Sequence, residues 1–290
     1  RKHKRSLAFS GVCAIVALFG FAGRVFGQAA APATAAPTQT NAASPAQNAK
    51  PADPAEAFWG TLNPYQKSLV EQRYADWAFL AKYRDADKAL PAPAAGELRV
   101  VFMGDSITEG WGMKATATSL ARGELFPRKP YLNRGISGQT TPQMLVRFRQ
   151  DVIELKPKVV VVLAGTNDIA ENTGKMSLGE TEGNITSMSE LARSNGIRPV
   201  LCSVLPASDF WWHKGLQPAS KIQALNAWIK EYAAKNGLVY VDYYSAMVNS
   251  EGGLKADLSP DGVHPNKAGY EVMAPLAEAG IAEALKKPLP

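Results

Sequence analysis

The sequence predicts an α/β protein in which a parallel β-sheet is covered by helices on both faces. From residue 98 onwards, short apolar segments alternate with longer helical patterns, which is typical of repeated strand–helix units. The strand candidates are apolar at nearly every position, as expected for strands that are buried on both sides. The five predicted strands are 99–103, 131–133, 159–163, 200–204 and 239–241.

Helices are predicted between these strands at about 141–155, 178–195 and 219–236, and a last helix follows Pro265. Gly196 and Gly237 come directly after the second and third of these segments, where glycine commonly ends a helix. No internal repeat is visible in the sequence, so the pattern favours one sheet rather than a repeated unit.

The N-terminal residues predict an exported protein. Residues 1–5 are basic, residues 7–23 are largely apolar, and small residues follow at 27–31. This order is typical of a bacterial signal peptide, predicted here at 1–27, and it implies a periplasmic or extracellular location. An uncleaved membrane anchor is the alternative, although the apolar segment is short for a membrane span. Residues 28–57 are rich in alanine and proline and predict a disordered linker.

The globular domain is predicted to cover residues 58–290 and to begin with a helix at about 64–89. Asn63 is suited to cap this helix and Pro64 to occupy its first position, while Pro91 follows its end. Of the two cysteines, Cys13 lies in the predicted leader and Cys202 in a predicted strand, so the mature chain forms no internal disulfide.

The net charge of +6 does not predict a nucleic-acid partner. Removal of the five basic residues in or beside the leader leaves +1, and no Lys/Arg-rich patch with interleaved aromatic residues follows. These five residues are Arg1, Lys2, Lys4, Arg5 and Arg24.

Residues suited to catalysis follow four of the predicted strands. Ser106 follows the first strand, Gly138 the second, Asn167 the third, and Asp261 and His264 the fifth. The carboxyl ends of parallel strands lie at one edge of a sheet, where ligands bind in open α/β folds. We therefore expect these five residues to meet at that edge.

Ser106 is a candidate nucleophile that needs a base. One of the three histidines lies in the leader, so His213 and His264 remain as candidate bases. Asp261 precedes His264 by three residues, close enough to accept a hydrogen bond from the imidazole Nδ1–H. The alternative interpretation is structural: Ser106 would cap a helix, and Asp261–His264 would form a surface turn.

An oxyanion site is predicted beside this serine. The backbone N–H groups of Ser106 and Gly138 and the side-chain amide of Asn167 are the candidate donors. The alternatives are an ordinary strand-to-helix turn at Gly138 and an Asx-turn at Asn167.

Four segments of the sequence together resemble the sequence blocks of SGNH hydrolases, also called GDSL esterases/lipases. The resemblance runs from about residue 98 to the C-terminus, and Ile107 stands where the family name has leucine. The four segments are 104–106, the loop around Gly138, 165–168 and 261–264.

This resemblance implies a three-layer α/β/α, flavodoxin-like fold with a parallel five-stranded sheet. It also implies hydrolysis of esters or thioesters of short acyl groups, lipids or acetylated sugars, with the closest likeness to secreted bacterial acylhydrolases of the platelet-activating-factor acetylhydrolase type. By this likeness Ser106 is the nucleophile, His264 the base and Asp261 the residue that orients it, while Gly138 and Asn167 are oxyanion donors.

The sequence thus predicts a secreted serine esterase that acts on a small ester, such as an acetylated carbohydrate or a lipid ester, through an acyl-serine intermediate. An acyltransferase and a non-catalytic carbohydrate-binding module are the alternatives. Trp111, Trp211 and Trp212 are candidate substrate contacts, and packing inside the protein is the alternative for each. Neither a cofactor nor a metal is predicted, because the mature chain has two histidines without ligand spacing and no Gly-x-x-x-x-Gly-Lys motif. No stable membrane span is predicted in the mature form.

Overall fold

The computed structural model describes residues 53–112 and 125–288. The predicted signal peptide and all but the last few residues of the predicted linker lie outside the described residues. Among the helices that are described, none is both long and apolar enough to cross a bilayer.

A parallel five-stranded sheet with the order β2-β1-β3-β4-β5 forms the centre of the domain. This is the flavodoxin-like order, and it confirms the predicted fold class. Along β1 the side chains alternate between two apolar clusters, with Val101 and Met103 on one face and Val100 and Phe102 on the other. The strands are β1 (Val100–Gly104), β2 (Tyr131–Gly135), β3 (Val159–Leu163), β4 (Arg198–Cys202) and β5 (Val239–Val241).

Helices cover both faces of this sheet, and β1 and β3 are buried at every position, as their continuous apolar sequences predict. The edge strand β2 is half-buried over its first three residues. A 3-10 turn at Ile153–Leu155 interrupts the predicted helix 141–155 near its end. The described helices are α1 (Pro54–Thr61), α2 (Pro64–Ala75), α3 (Arg84–Ala89), α4 (Ser106–Gly110), α5 (Thr141–Asp151), α6 (Thr166–Ile169), α7 (Leu178–Ser194), α8 (Pro218–Lys235), α9 (Tyr243–Met247) and α10 (Lys267–Lys286).

The single helix predicted at about 64–89 is wrong, because α2 and α3 are separated by a turn segment. The Asp76 carboxylate accepts hydrogen bonds from the backbone N–H groups of Leu80 and Ala81, both at 2.8 Å, so it offers the backbone an alternative to the helix. Phe79 in the same turns has a positive φ of 57°, which no helix accommodates.

The predicted linker also ends too late, because α1 already begins at Pro54. Asp53 caps this helix by accepting a hydrogen bond from the N–H of Ala55 at 2.9 Å, and proline is preorganised for the first helical position. A local capping signal therefore outweighs the alanine- and proline-rich composition of the preceding sequence.

The sheet order places a crevice beside the end of β1. The chain passes from β1 to β2 on one side and then crosses to β3 on the other, so the connections after β1 and β3 diverge there. Gly135 at the end of β2 allows α4 to pack closely, since a Cβ at this position would lie 2.1 Å from the backbone nitrogen of Glu109. The start of α4 is thereby fixed against the sheet edge.

Candidate active site

Ser106 is the first residue of α4 and follows the turn at the end of β1. The Asp105 carboxylate caps this short helix by accepting a hydrogen bond from the N–H of Ile107 at 2.9 Å. The Ser106 Oγ lies 2.9 Å from the Nε2 of His264, although 158 positions separate the two residues in the sequence. The hydroxyl and the imidazole are therefore within direct proton-transfer distance.

Asp261 orients the imidazole of His264. Its Oδ2 lies 2.7 Å from the Nδ1 of His264, and its Oδ1 accepts hydrogen bonds from the backbone N–H groups of His264 at 2.8 Å and Val263 at 3.0 Å. Burial opposes ionisation of this carboxyl, but the hydrogen bonds from His264 and Val263 outweigh it and hold its pKa below the ordinary value. A charged carboxylate at this place keeps a proton on Nδ1 and leaves Nε2 free to accept one.

The cleft beside Ser106 has a volume of about 780 Å³. Six of the predicted site residues therefore meet at one place: Ser106, Gly138, Asn167, Trp211, Trp212 and His264 all line the cleft. A second cavity of about 240 Å³ lies at the amino ends of β4 and β5 and contains none of the predicted residues.

Gly138 and Asn167 lie where the predicted oxyanion site would be, but the amide of Asn167 already has partners. Its Nδ2 donates to the carbonyl of Gln139 at 3.0 Å and, at a longer 3.3 Å, to the Oδ2 of Asp105. Gly138 has a positive φ of 75°, a conformation that favours glycine. The long contact to Asp105 is the weaker of the two and is the one that an oxyanion could replace.

Asn172 is a polar residue of the cleft that the sequence did not single out. Its Nδ2 donates to the Oδ1 of Asn167 at 2.7 Å and to the carbonyl of Gly138 at 3.3 Å, while its Oδ1 accepts from the indole N–H of Trp212 at 2.9 Å. Because these three bonds fix the orientation of the Asn172 amide, they also fix which end of the Asn167 amide faces each neighbour. Trp212 lies 40 positions from Asn172 in the sequence, so no local pattern indicates that these two residues are in contact.

The three predicted tryptophans have different places. Trp211 and Trp212 line the cleft; Trp211 is 61% exposed, and the ring centroid of Trp212 lies 6.2 Å from that of His264. Trp111 does not line the cleft: its side chain is buried and contacts Phe102 and Tyr270 with ring centroids 5.7 and 5.2 Å apart. For Trp111 the packing alternative is the correct one, because the aromatic ring completes the core beneath α4.

The other candidate base lies apart from the catalytic contacts. The Nδ1 of His213 pairs with the carbonyl of Ala170 at 2.8 Å, which leaves His264 as the histidine that contacts Ser106. Met113 follows Ser106 closely enough in the sequence to be a candidate for the acyl pocket or for the core, and it lies outside the described residues. No group of three metal-ligating side chains occurs within the described part of the chain.

Buried carboxyl groups support the loops of the cleft from behind. Asp105 is fully buried, and burial raises its pKa to about 7. Burial also raises the pKa of Asp168, although its carboxylate accepts a hydrogen bond from the N–H of Thr141 at 3.0 Å. The contact between Asp168 and Thr141 connects α6 to the start of α5. The contact between Asn167 and Asp105 connects α6 to the turn that precedes Ser106, so these segments are held together.

Comparison with known proteins identifies the region that carries this site. A family model described as GDSL-like lipase/acylhydrolase matches residues 102–272, which confirms the predicted resemblance. A GDSL-like lipase from Bacteroides thetaiotaomicron has a solved structure that matches with a TM-score of 0.66 and 43% identity, covering 72% of this chain and all of that one.

Two curated relatives match parts of the chain. An acetylxylan esterase of Xylanibacter ruminicola is 26% identical over 252 residues, which are 77% of this chain and 49% of that esterase. An uncharacterized lipoprotein of Bacillus subtilis, YqeF, is 38% identical over 78 residues, which are 26% of this chain and 32% of that protein. The chain therefore spans about a third to a half of the length of these relatives.

Proposed function

The chain belongs to the GDSL-like lipase/acylhydrolase family, whose enzymes are carboxylic ester hydrolases, and we propose that it is an exported serine esterase that removes short acyl groups. The observation that carries this proposal is the continuous pair of contacts from Ser106 Oγ through the His264 imidazole to the Asp261 carboxylate, at 2.9 and 2.7 Å. This geometry is the one that activates a serine hydroxyl for attack on an ester.

In the proposed mechanism, His264 accepts the Ser106 proton at Nε2 as the serine oxygen attacks the ester carbonyl. The negative charge that develops on the carbonyl oxygen is stabilised by the N–H groups of Ser106 and Gly138 and by the amide of Asn167. His264 then donates its proton to the departing alkoxide. This leaves an acyl group on Ser106. His264 then takes a proton from a water molecule that attacks the acyl carbonyl, and it returns this proton to the Ser106 oxygen as the carboxylic acid leaves.

The proposed substrates are acetyl esters, with acetylated carbohydrates as the favoured class. Two observations support this choice: one curated relative is an acetylxylan esterase, and Trp211 presents a largely exposed ring at the rim of the cleft. An exposed indole is suited to stacking on the apolar face of a sugar. Export is supported by the basic and apolar pattern of the N-terminal residues and by the similarity to a lipoprotein.

The test uses p-nitrophenyl esters of increasing acyl length and acetylated xylose as substrates of the purified protein. We expect the highest kcat/KM with acetyl, and a loss of kcat of at least about a thousandfold in Ser106→Ala. Ser250→Ala is the matched control, because Ser250 is exposed and lies away from the cleft residues.

Mass spectrometry after fluorophosphonate labelling should find the label on Ser106. Near-full turnover by a folded Ser106→Ala variant would refute the nucleophile. Binding of acetylated xylo-oligosaccharides without hydrolysis of any ester would favour the carbohydrate-binding module, and transfer of the acyl group to an added sugar in preference to water would favour the acyltransferase.

A further inference from the structure

One wall of the cleft is formed by residues that precede the segment matched by the family model. This N-terminal wall comprises residues 63–82 and contributes both polar and charged side chains. Its members that line the cleft are Asn63, Gln66, Gln72, Arg73, Phe79 and Lys82.

Glutamine side chains of the main domain hold the N-terminal wall in place. The Nε2 atoms of Gln139, Gln143 and Gln150 donate to the backbone carbonyls of Ala78, Trp77 and Leu80 at 2.8, 2.6 and 2.8 Å. Three backbone carbonyls of the segment 77–80 are thus anchored to α5 and the loop before it. The end of the wall is therefore fixed against the main domain.

Arg73 is a charged residue of this wall that lies close to Gly138. Its Nη1 lies 3.4 Å from the carbonyl of Asn172, and a Cβ added to Gly138 would lie 3.8 Å from its Nη2. Its Nε is buried and has no hydrogen-bond partner among the described residues. The guanidinium therefore lies beside Gly138 with donors that the protein leaves unused.

The charge of Arg73 is also uncompensated within the described residues. The other cation of the wall that lines the cleft, Lys82, pairs with Glu109 at 2.7 Å, and the imidazole of His264 pairs with Asp261. No described carboxylate lies within ion-pair distance of Arg73. A partly buried guanidinium with free donors is suited to bind a planar or tetrahedral anion through two parallel hydrogen bonds.

We propose that Arg73 binds an anionic group of the substrate, a carboxylate or a phosphate, next to the ester that Ser106 attacks. This inference rests on the proposed esterase function and narrows the substrate to esters that carry such a group near the reacting carbonyl. Arg73 precedes the family-matched segment, so the family match does not by itself imply this preference.

The test compares three acetyl esters: 4-acetoxybenzoate, its neutral analogue 4-acetoxybenzamide, and 4-acetoxyphenyl phosphate. The readout is the ratio of kcat/KM for each anionic ester to that for the neutral ester, measured for the wild type, Arg73→Gln and Arg73→Lys. We expect Arg73→Gln to lower this ratio by about 10- to 100-fold, the usual worth of a charge-assisted hydrogen bond. Arg73→Lys keeps the positive charge but loses the paired donors of the guanidinium, so it should lower the ratio by a smaller factor.

The matched control is Arg84→Gln, since Arg84 is exposed and does not line the cleft, and this variant should leave the ratio at the wild-type value. The anionic ester that shows the larger dependence on Arg73 identifies carboxylate or phosphate as the natural group. A ratio that stays at the wild-type value in Arg73→Gln would overturn the proposal. If kcat/KM then falls equally on all three esters, Arg73 stabilises the oxyanion of any substrate; if kcat/KM does not fall, Arg73 does not contact the substrate. Both results would leave the esterase function intact. Failure of the folded wild type to hydrolyse any ester would instead overturn the proposed function.

Discussion

Replacement of Asp261 by asparagine tests the proposed mechanism by changing which ring nitrogen of His264 carries the proton. Oδ1 of Asp261 accepts three hydrogen bonds, from the N–H groups of Val263 and His264 and from the hydroxyl of Ser259 at 3.2 Å. Oδ2 accepts the fourth, from the imidazole Nδ1–H. Asparagine keeps an oxygen for the first three contacts and places an NH₂ donor against Nδ1.

The imidazole of His264 must then accept a hydrogen bond at Nδ1, so its proton moves to Nε2. An Nε2–H donates to Ser106 Oγ and cannot remove the serine proton. We expect Asp261→Asn to lower kcat by about 10⁴-fold. This loss corresponds to about 5 kcal/mol of activation free energy. Because three of the four contacts persist, the free energy of unfolding should fall by only about 1 kcal/mol.

The assay is steady-state hydrolysis of p-nitrophenyl acetate, with urea unfolding of the same preparations. Asp257→Asn is the control, since Asp257 is exposed in the same loop and its side chain has no recorded hydrogen bond among the described residues. A folded Asp261→Asn variant that keeps kcat within about tenfold of the wild type would refute the reasoning. In that case the carboxylate would not control the tautomer of His264.

Two further predictions concern Asp105 and Asn172, which support the predicted catalytic residues. Burial raises the pKa of Asp105 to about 7 from an ordinary 3.8, so the folded protein retains a proton that the unfolded chain releases. The stability that this proton contributes is complete below about pH 4 and is lost as the pH rises through 7. Urea unfolding at pH 5 and pH 8 should therefore show a loss of about 3 kcal/mol in the wild type that Asp105→Asn lacks, and equal pH slopes in both proteins would contradict this. Asn172→Ala should lower kcat on p-nitrophenyl acetate by about tenfold with little change in KM, because Asn167 loses the partner that orients it; a rise in KM alone would contradict a positioning role.

The sheet and the meeting of the catalytic candidates could be predicted because both depend on local patterns. Five apolar segments separated by helical ones leave few arrangements other than a parallel sheet, and residues after its strands then share one edge. The choice of His264 over His213 needed no structure, since Asp261 is its neighbour in sequence. The catalytic roles of these residues stay predictions until the variants are measured.

The features that were missed depend on specific side-chain contacts, most of them between residues far apart in the sequence. Asp76 ends α2 because its carboxylate finds two backbone N–H groups in the following turns, which a helical apolar pattern does not reveal. The N-terminal wall is held by glutamines about 60–70 positions away, and Asn172 by a tryptophan 40 positions away. Trp111 was ambiguous for the same reason, because only packing against Tyr270 decides which way its ring points.

The long separation between Ser106 and His264 has a consequence for the biosynthesis of this protein. The nucleophile emerges from the ribosome well before its base, and the two can meet only after β5 has joined the edge of the sheet. Since pairing across such a distance is slow compared with local structure formation, a nascent chain that lacks the last strand has no assembled site. The appearance of turnover during refolding would accordingly report the arrival of that strand.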